Sequence, residues 1–181
     1  MKIGLTLICI AMLGTGVAEF KMDFGQEMIG AGWFTILDGV MGGRSSGQVA
    51  YNDESMVFTG AISLENNGGF SSMRSPVQEY DFSQFDTVKI RVRGDGRTYG
   101  FMLERQTGYR SPYFRYNFKT EADTWTEIDL PIAAFNGYIY GRKVIEGLDK
   151  ESLQSIDRMG VILADKNPGD FKLEIDYITL K

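Results

Sequence analysis

Beyond residue 20 apolar side chains recur at every second position, and a period of two is the pattern of half-buried strands. Met56, Phe58, Ile62 and Leu64 fall on one face of a run that also holds Gly60. Val88, Ile90 and Val92 alternate with Lys89, Arg91 and Arg93, and Tyr99, Phe101 and Leu103 share a face. Phe114, Tyr116 and Phe118 oppose Tyr113, Arg115 and Asn117, and Phe171, Leu173, Ile175 and Tyr177 align in the last run. The turn formers NNGG (66–69), GDG (94–96) and KNPGD (166–170) separate these segments. One short helix is expected around DKESLQSI, with Asp149 capping its first turn. Many short strands joined by glycine turns predict an all-β fold, a jelly-roll β-sandwich. A length of 181 residues predicts one domain, since about 150 is the usual size.

What the chain lacks narrows its chemistry. It has no histidine, and its one cysteine is Cys9. Histidine-based hydrolases and Cys/His zinc sites therefore have no residues to work with beyond the N-terminal segment. Oxygen-ligand metals such as calcium stay open, although no loop has the EF-hand spacing; no metal-site residues are assigned and no cofactor is expected. Two carboxylates can still run a glycosidase, and Asp38, Asp95 and Asp165 lie in motif loops, but nothing in their spacing brings two of them together. The expectation is a binding module and not an enzyme.

The N-terminal stretch MKIGLTLICIAMLGTGVAEF has one lysine, an uncharged run from Ile3 to Val17, and small residues at Gly16 and Ala18. That layout predicts a signal peptide over 1–18, a domain over 19–181 without an integral membrane segment, and a periplasmic or secreted location. Cys9 is a poor lipidation site because the bulky Ile8 precedes it. A net charge of −5 argues against nucleic acid as a partner.

The loop DGVMGGRSSG, residues 38–47, raises the question of what its four glycines, arginine and two serines are for. A Walker loop ends in Gly-Lys-Ser/Thr and opens a helix, whereas this one continues through Gly47 into strand material. GDGRTYG is likewise not a dinucleotide fingerprint, because its third glycine comes one position late and a strand follows. On the residues alone, these glycines supply positive φ angles and close backbone approaches at the edges of a sandwich.

The successive motifs WFTILDGVMGGRSSG, FTGAISLENNGGFSSMRS, IRVRGDGRTYGFML, WTEIDLPIAAF and MGVILADKNPGDFKLEIDYI resemble, in order, those of the complex I intermediate-associated protein 30 family. The resemblance runs from about Trp33 to Ile178. It implies a galactose-binding-like jelly roll in which the DGVMGGRSSG loop packs beside the NNGGF turn. It also implies a protein partner, since mitochondrial members are assembly factors or chaperones for respiratory complex I, and it brings no catalytic residues.

Three sets of residues are candidates for a site. Asp38, Arg44, Asn67 and Arg74 are polar positions set among glycines and aromatics, and are expected to form a buried network joining the two loops, with Arg44 or Arg74 as the fork donor. The rival reading makes them a ligand rim. Lys89, Arg91 and Arg93 on one strand and Tyr113, Arg115 and Asn117 on another would, if their faces coincide, line a groove for a saccharide or peptide. The alternative for the lysine and arginines is a solvated face balanced by acidic neighbours. Trp33, Trp125, Tyr138 and Tyr140 could stack on sugar rings, although core packing is the usual fate of tryptophan. A protein partner or client is the leading expectation, with a saccharide of the cell envelope as the alternative.

Overall fold

The computed structural model describes residues 20–25, 27–105 and 111–181. The expected signal peptide at 1–18, with Cys9, lies outside the described residues. In chain order the strands are β1 (Phe20–Asp23), β2 (Phe34–Leu37), β3 (Ser46–Tyr51), β4 (Met56–Ile62), β5 (Ser71–Arg74), β6 (Thr87–Arg93) and β7 (Thr98–Glu104). They continue with β8 (Tyr113–Lys119), β9 (Trp125–Pro131), β10 (Asn136–Ile139), β11 (Arg142–Ile145), β12 (Arg158–Leu163) and β13 (Gly169–Leu180). Short 3-10 turns cover Asp38–Met41, Glu65–Asn67, Ile132–Ala134 and Ser152–Ser155. Among the described residues no helix is long and apolar enough to cross a membrane.

The strands form two antiparallel sheets. One runs β3-β4-β13-β6-β9, with β1 also on β13; the other runs β11-β10-β8-β7-β12-β5-β2. Strand β13 divides one edge between two neighbours: its Gly169–Ile175 half pairs with β4, and its Tyr177–Leu180 half pairs with β1. The alternating residues face each other between the sheets. Val88, Ile90, Val92, Phe171, Leu173 and Ile175 from one sheet bury themselves against Tyr99, Phe101, Leu103, Phe114 and Phe118 from the other. Each such side chain contributes about 1.5–3 kcal/mol through its removal from water.

The alternation slips in two places. A bulge between Ile175 and Tyr177 changes the phase of β13, so Ile178 and Leu180 turn inward. Tyr177 turns out, where its hydroxyl donates to Glu127. Strand β4 ends at Ile62, which leaves Leu64 exposed instead of sharing the face of Met56 and Phe58. The expected helix near residue 150 is a single 3-10 turn, and Asp149 does bind its start, accepting the Ser152 N–H at 2.7 Å.

Candidate functional site

The loop after β2 folds over Asp38, which is wholly buried. Its Oδ1 accepts the Ser45 N–H at 3.0 Å, while Oδ2 accepts the Ser45 hydroxyl at 2.5 Å and the backbone N–H groups of Gly69 at 2.7 Å and Phe70 at 3.3 Å. Ser45 Oγ in turn accepts the Ser63 N–H at 3.0 Å, and Asn66 Nδ2 donates to the Gly42 carbonyl at 3.1 Å. One carboxylate thus clasps the DGVMGGRSSG loop to the NNGGF turn. Burial works to raise the Asp38 pKa, but the donors from Ser45, Gly69 and Phe70 outweigh it and hold the carboxyl below its ordinary value.

The glycines serve this clasp. A Cβ on Gly43 would sit 2.3 Å from Asp38 Cγ, and one on Gly68 would sit 2.6 Å from Asp38 Oδ2. Gly69 donates its N–H from a backbone with φ of +121°, which side chains rarely adopt. Held in this way, the 3-10 turn presents Val40 and Met41 to solvent at 78% and 66% exposure. Leu64, on the other loop, is also exposed.

The network expected of Asp38 is therefore present, but an arginine is not its donor. Arg44 is exposed and pairs with Glu65 at 2.9 Å. Arg74 lies across the sheet and pairs with Glu104. Asn67 is an exposed residue of the 3-10 turn with φ of +59°. Neutral groups, one hydroxyl and three backbone N–H groups, replace the guanidinium because the glycines let the main chain come close enough to solvate the anion.

A second clasp joins GDGRTYG to KNPGD. Arg97 grips Asp165 with both arms of its fork, Nε to Oδ2 at 3.0 Å and Nη2 to Oδ1 at 2.7 Å. It also donates to the carbonyls of Asn167, Gly169 and Asp170. Asp95 accepts the Arg97 N–H at 3.1 Å, and the Tyr99 hydroxyl and Lys172 N–H at 3.0 Å each. Asp95 and Asp165 thus converge on Arg97, the first through its backbone N–H and the second through its guanidinium. Neither Ser45 nor Arg97 stands out in the sequence, although an Asp two positions before Arg97 is the signature of an Asx turn.

The two charged strand faces do not coincide, because β6 and β8 belong to different sheets and both faces point outward. On β6, Lys89 pairs with Glu127 at 3.2 Å and Asp129 at 3.3 Å, Arg91 pairs with Asp176, and Arg93 holds Glu174 with both arms. Arg91 and Arg93 also lie over the Trp125 ring. This is the balanced solvated face, so the groove expected from joining it to Tyr113, Arg115 and Asn117 does not form.

The other sheet's outer face is different. Arg115 stacks over Tyr138 at 4.2 Å, and Tyr138 lies nearly parallel to Tyr113 with ring centres 5.8 Å apart. Burial raises the Tyr113 pKa, with Arg115 and Arg74 working against it. Beside them a recess of about 60 Å³ is lined by Thr98, Gly100, Arg115, Asn117, Ile162, Ala164 and Asp165. Arg158, missed by the sequence reading, stacks over Phe34 at 5.3 Å. Trp33 is core, packed edge-on to Phe24, while Tyr140 is exposed at the β10–β11 turn.

A family model described as complex I intermediate-associated protein 30 matches residues 22–175. A Mus musculus protein of that name, labelled mitochondrial, is 30% identical over 171 residues, 81% of this chain and 51% of its own length. A Caenorhabditis elegans protein named probable complex I intermediate-associated protein 30, mitochondrial, is 31% identical over 122 residues, 65% of this chain and 35% of its own. The chain spans about half the length of the first and less of the second. These names overturn the expected periplasmic or secreted location, which rested on an apolar run after one lysine followed by the small residues Gly16 and Ala18. Among solved structures, the family 11 carbohydrate-binding module from Clostridium thermocellum, in complex with a β-1,3-1,4-mixed-linked tetrasaccharide, superposes with a TM-score of 0.64. It is 16% identical and covers 92% of this chain and 96% of that one. That likeness shows the fold, a galactose-binding-like jelly-roll β-sandwich.

Proposed function

The chain belongs to the complex I intermediate-associated protein 30 family, and from that premise we propose that it is a binding module that holds a protein partner or client during complex I assembly. The observation that carries this is the Asp38 clasp, which fixes a turn whose tip, Val40 and Met41, is apolar and exposed. An apolar tip on a rigid loop gives up little conformational freedom when it docks, so its burial goes into affinity. The clasp accounts for the glycines as structural parts and leaves the tip as the contact. The named relatives are intermediate-associated proteins, and nothing in their names describes a catalyst.

The test is association with complex I assembly intermediates, followed by native electrophoresis of cells carrying Val40→Asp/Met41→Asp. The double variant should melt like the parent chain and should no longer migrate with the intermediates. Undiminished association would reject the loop tip as the contact.

A saccharide is the second reading, favoured by the recess beside Arg115 and Asn117 and the neighbouring Tyr113–Tyr138 stack. Titration with a β-1,3-1,4-mixed-linked tetrasaccharide checks it. Binding that is lost in Tyr138→Ala would support it, and a flat titration would exclude that ligand.

A further inference from the structure

Building on the protein-binding reading, we propose that the outer face of the seven-stranded sheet docks an acidic, extended segment of the partner. The basis is a difference in charge compensation between the two outer faces. On β6, Lys89, Arg91 and Arg93 each have a carboxylate on an adjoining strand. On the opposite face the carboxylate nearest to Arg74, Arg115 and Arg158 that Arg97 does not already hold is Glu104, because Asp165, in the recess beside Arg115, is gripped by Arg97. Glu104 stands opposite Arg158 in the strand register but pairs with Arg74. Among the described residues no carboxylate forms an ion pair with Arg115 or Arg158. The chain as a whole is acidic, with a net charge of −5, so this local surplus of cations runs against its composition.

The two guanidiniums are also placed for a ligand. Each is backed by a ring, Arg115 by Tyr138 and Arg158 by Phe34. Among the described residues the Nε of each is buried without an acceptor. A carboxylate arriving over the sheet relieves that deficit after a rotation of the side chain, and planar forks match carboxylates bidentately. Strands β8 and β12 flank β7, and Arg158 lies two register steps beyond Arg115. Strand spacing and rise then put the two Cα atoms about 12 Å apart, which three to four residues of extended peptide span. The segment therefore carries acidic residues four positions apart, which an extended chain keeps on one face. Nucleic acid, the other polyanion such a surplus could attract, is a separate outcome of the test.

The experiment titrates the full chain with a ten-residue oligoglutamate, using as comparisons a ten-residue oligoglutamine, a ten-nucleotide oligothymidylate and the mixed-linked tetrasaccharide. Oligoglutamate should bind in a salt-sensitive manner, and Arg115→Gln/Arg158→Gln should weaken it at least about tenfold. Arg115→Lys/Arg158→Lys should recover part of the loss, which a folding defect would not allow. Arg91→Gln/Arg93→Gln removes the same charge from the other face and should change the affinity less than about threefold. The proposal falls if oligoglutamate does not bind, if both glutamine doubles weaken it equally, or if the oligothymidylate or the tetrasaccharide binds more tightly. Val40→Asp/Met41→Asp alters only the loop tip and should leave this titration unchanged, so failure of the loop contact and failure of the sheet contact are told apart.

Discussion

The two loop clasps solve one problem with opposite chemistry. Each joins a pair of motif loops through a carboxylate, but Asp38 is held by a serine and three backbone N–H groups, while Asp165 is held by the fork of Arg97. An anion solvated by main-chain dipoles depends on backbone shape, so Gly43 and Gly68 are needed for close approach and Gly69 for its positive φ. An ion pair depends on one flexible side chain and tolerates small backbone shifts. The dipole-held clasp is therefore the more brittle of the two, and the apolar tip is mounted on it.

That contrast can be broken in order of effect. Asp38→Ala leaves the Ser45 and Gly69 N–H groups buried without an acceptor, at about 1–3 kcal/mol each, and should lower the unfolding free energy most in urea titration. Gly43→Ala forces a Cβ against the Asp38 carboxylate and should cost about 1–3 kcal/mol while leaving every charge in place. Arg97→Ala should cost about 2 kcal/mol, because Asp165 keeps the Asn167 N–H and gains water at the surface. A loss larger than that of Asp38→Ala would reverse the ranking of the clasps. Arg44→Ala, which removes only an exposed pair, should stay within about 0.5 kcal/mol of the parent chain.

Acid sharpens the same comparison. Burial opposes ionisation of both Asp38 and Asp165, yet hydrogen bonds in the first and Arg97 in the second hold both below the ordinary carboxylate value. A carboxyl lowered in the folded chain contributes stability that is complete above its unfolded pKa, about 3.9, and is lost as pH falls through the folded value. Unfolding free energy measured from pH 6 downward should therefore fall in the acid range, and less steeply in Asp38→Ala than in the parent chain.

Much of the fold was legible because burial on a sheet leaves a period of two in the side chains, as in Val88, Ile90 and Val92. The pattern misled where the backbone broke its own period, at the bulge beside Asp176 and at the end of β4. It also says nothing of which strands are neighbours, so the assignment of β6 and β8 to different sheets was invisible. Asp38 could be found because a charge among glycines is conspicuous. Its donors could not, since backbone N–H groups have no letter in a sequence and Ser45 is one serine of a pair. Phe34 and Arg158 lie far apart along the chain and meet only through β5.

Strand β13 occupies the middle of its sheet, with β6 on one side and both β1 and β4 on the other. Since β13 is made long after β1 and β4, neither can find its proper edge while the chain is still emerging from the ribosome. Such distant pairings slow folding, and in the interval the unpaired early strands are open to capture by chaperones or by other nascent chains. This layer of the sandwich closes only when synthesis has passed residue 180.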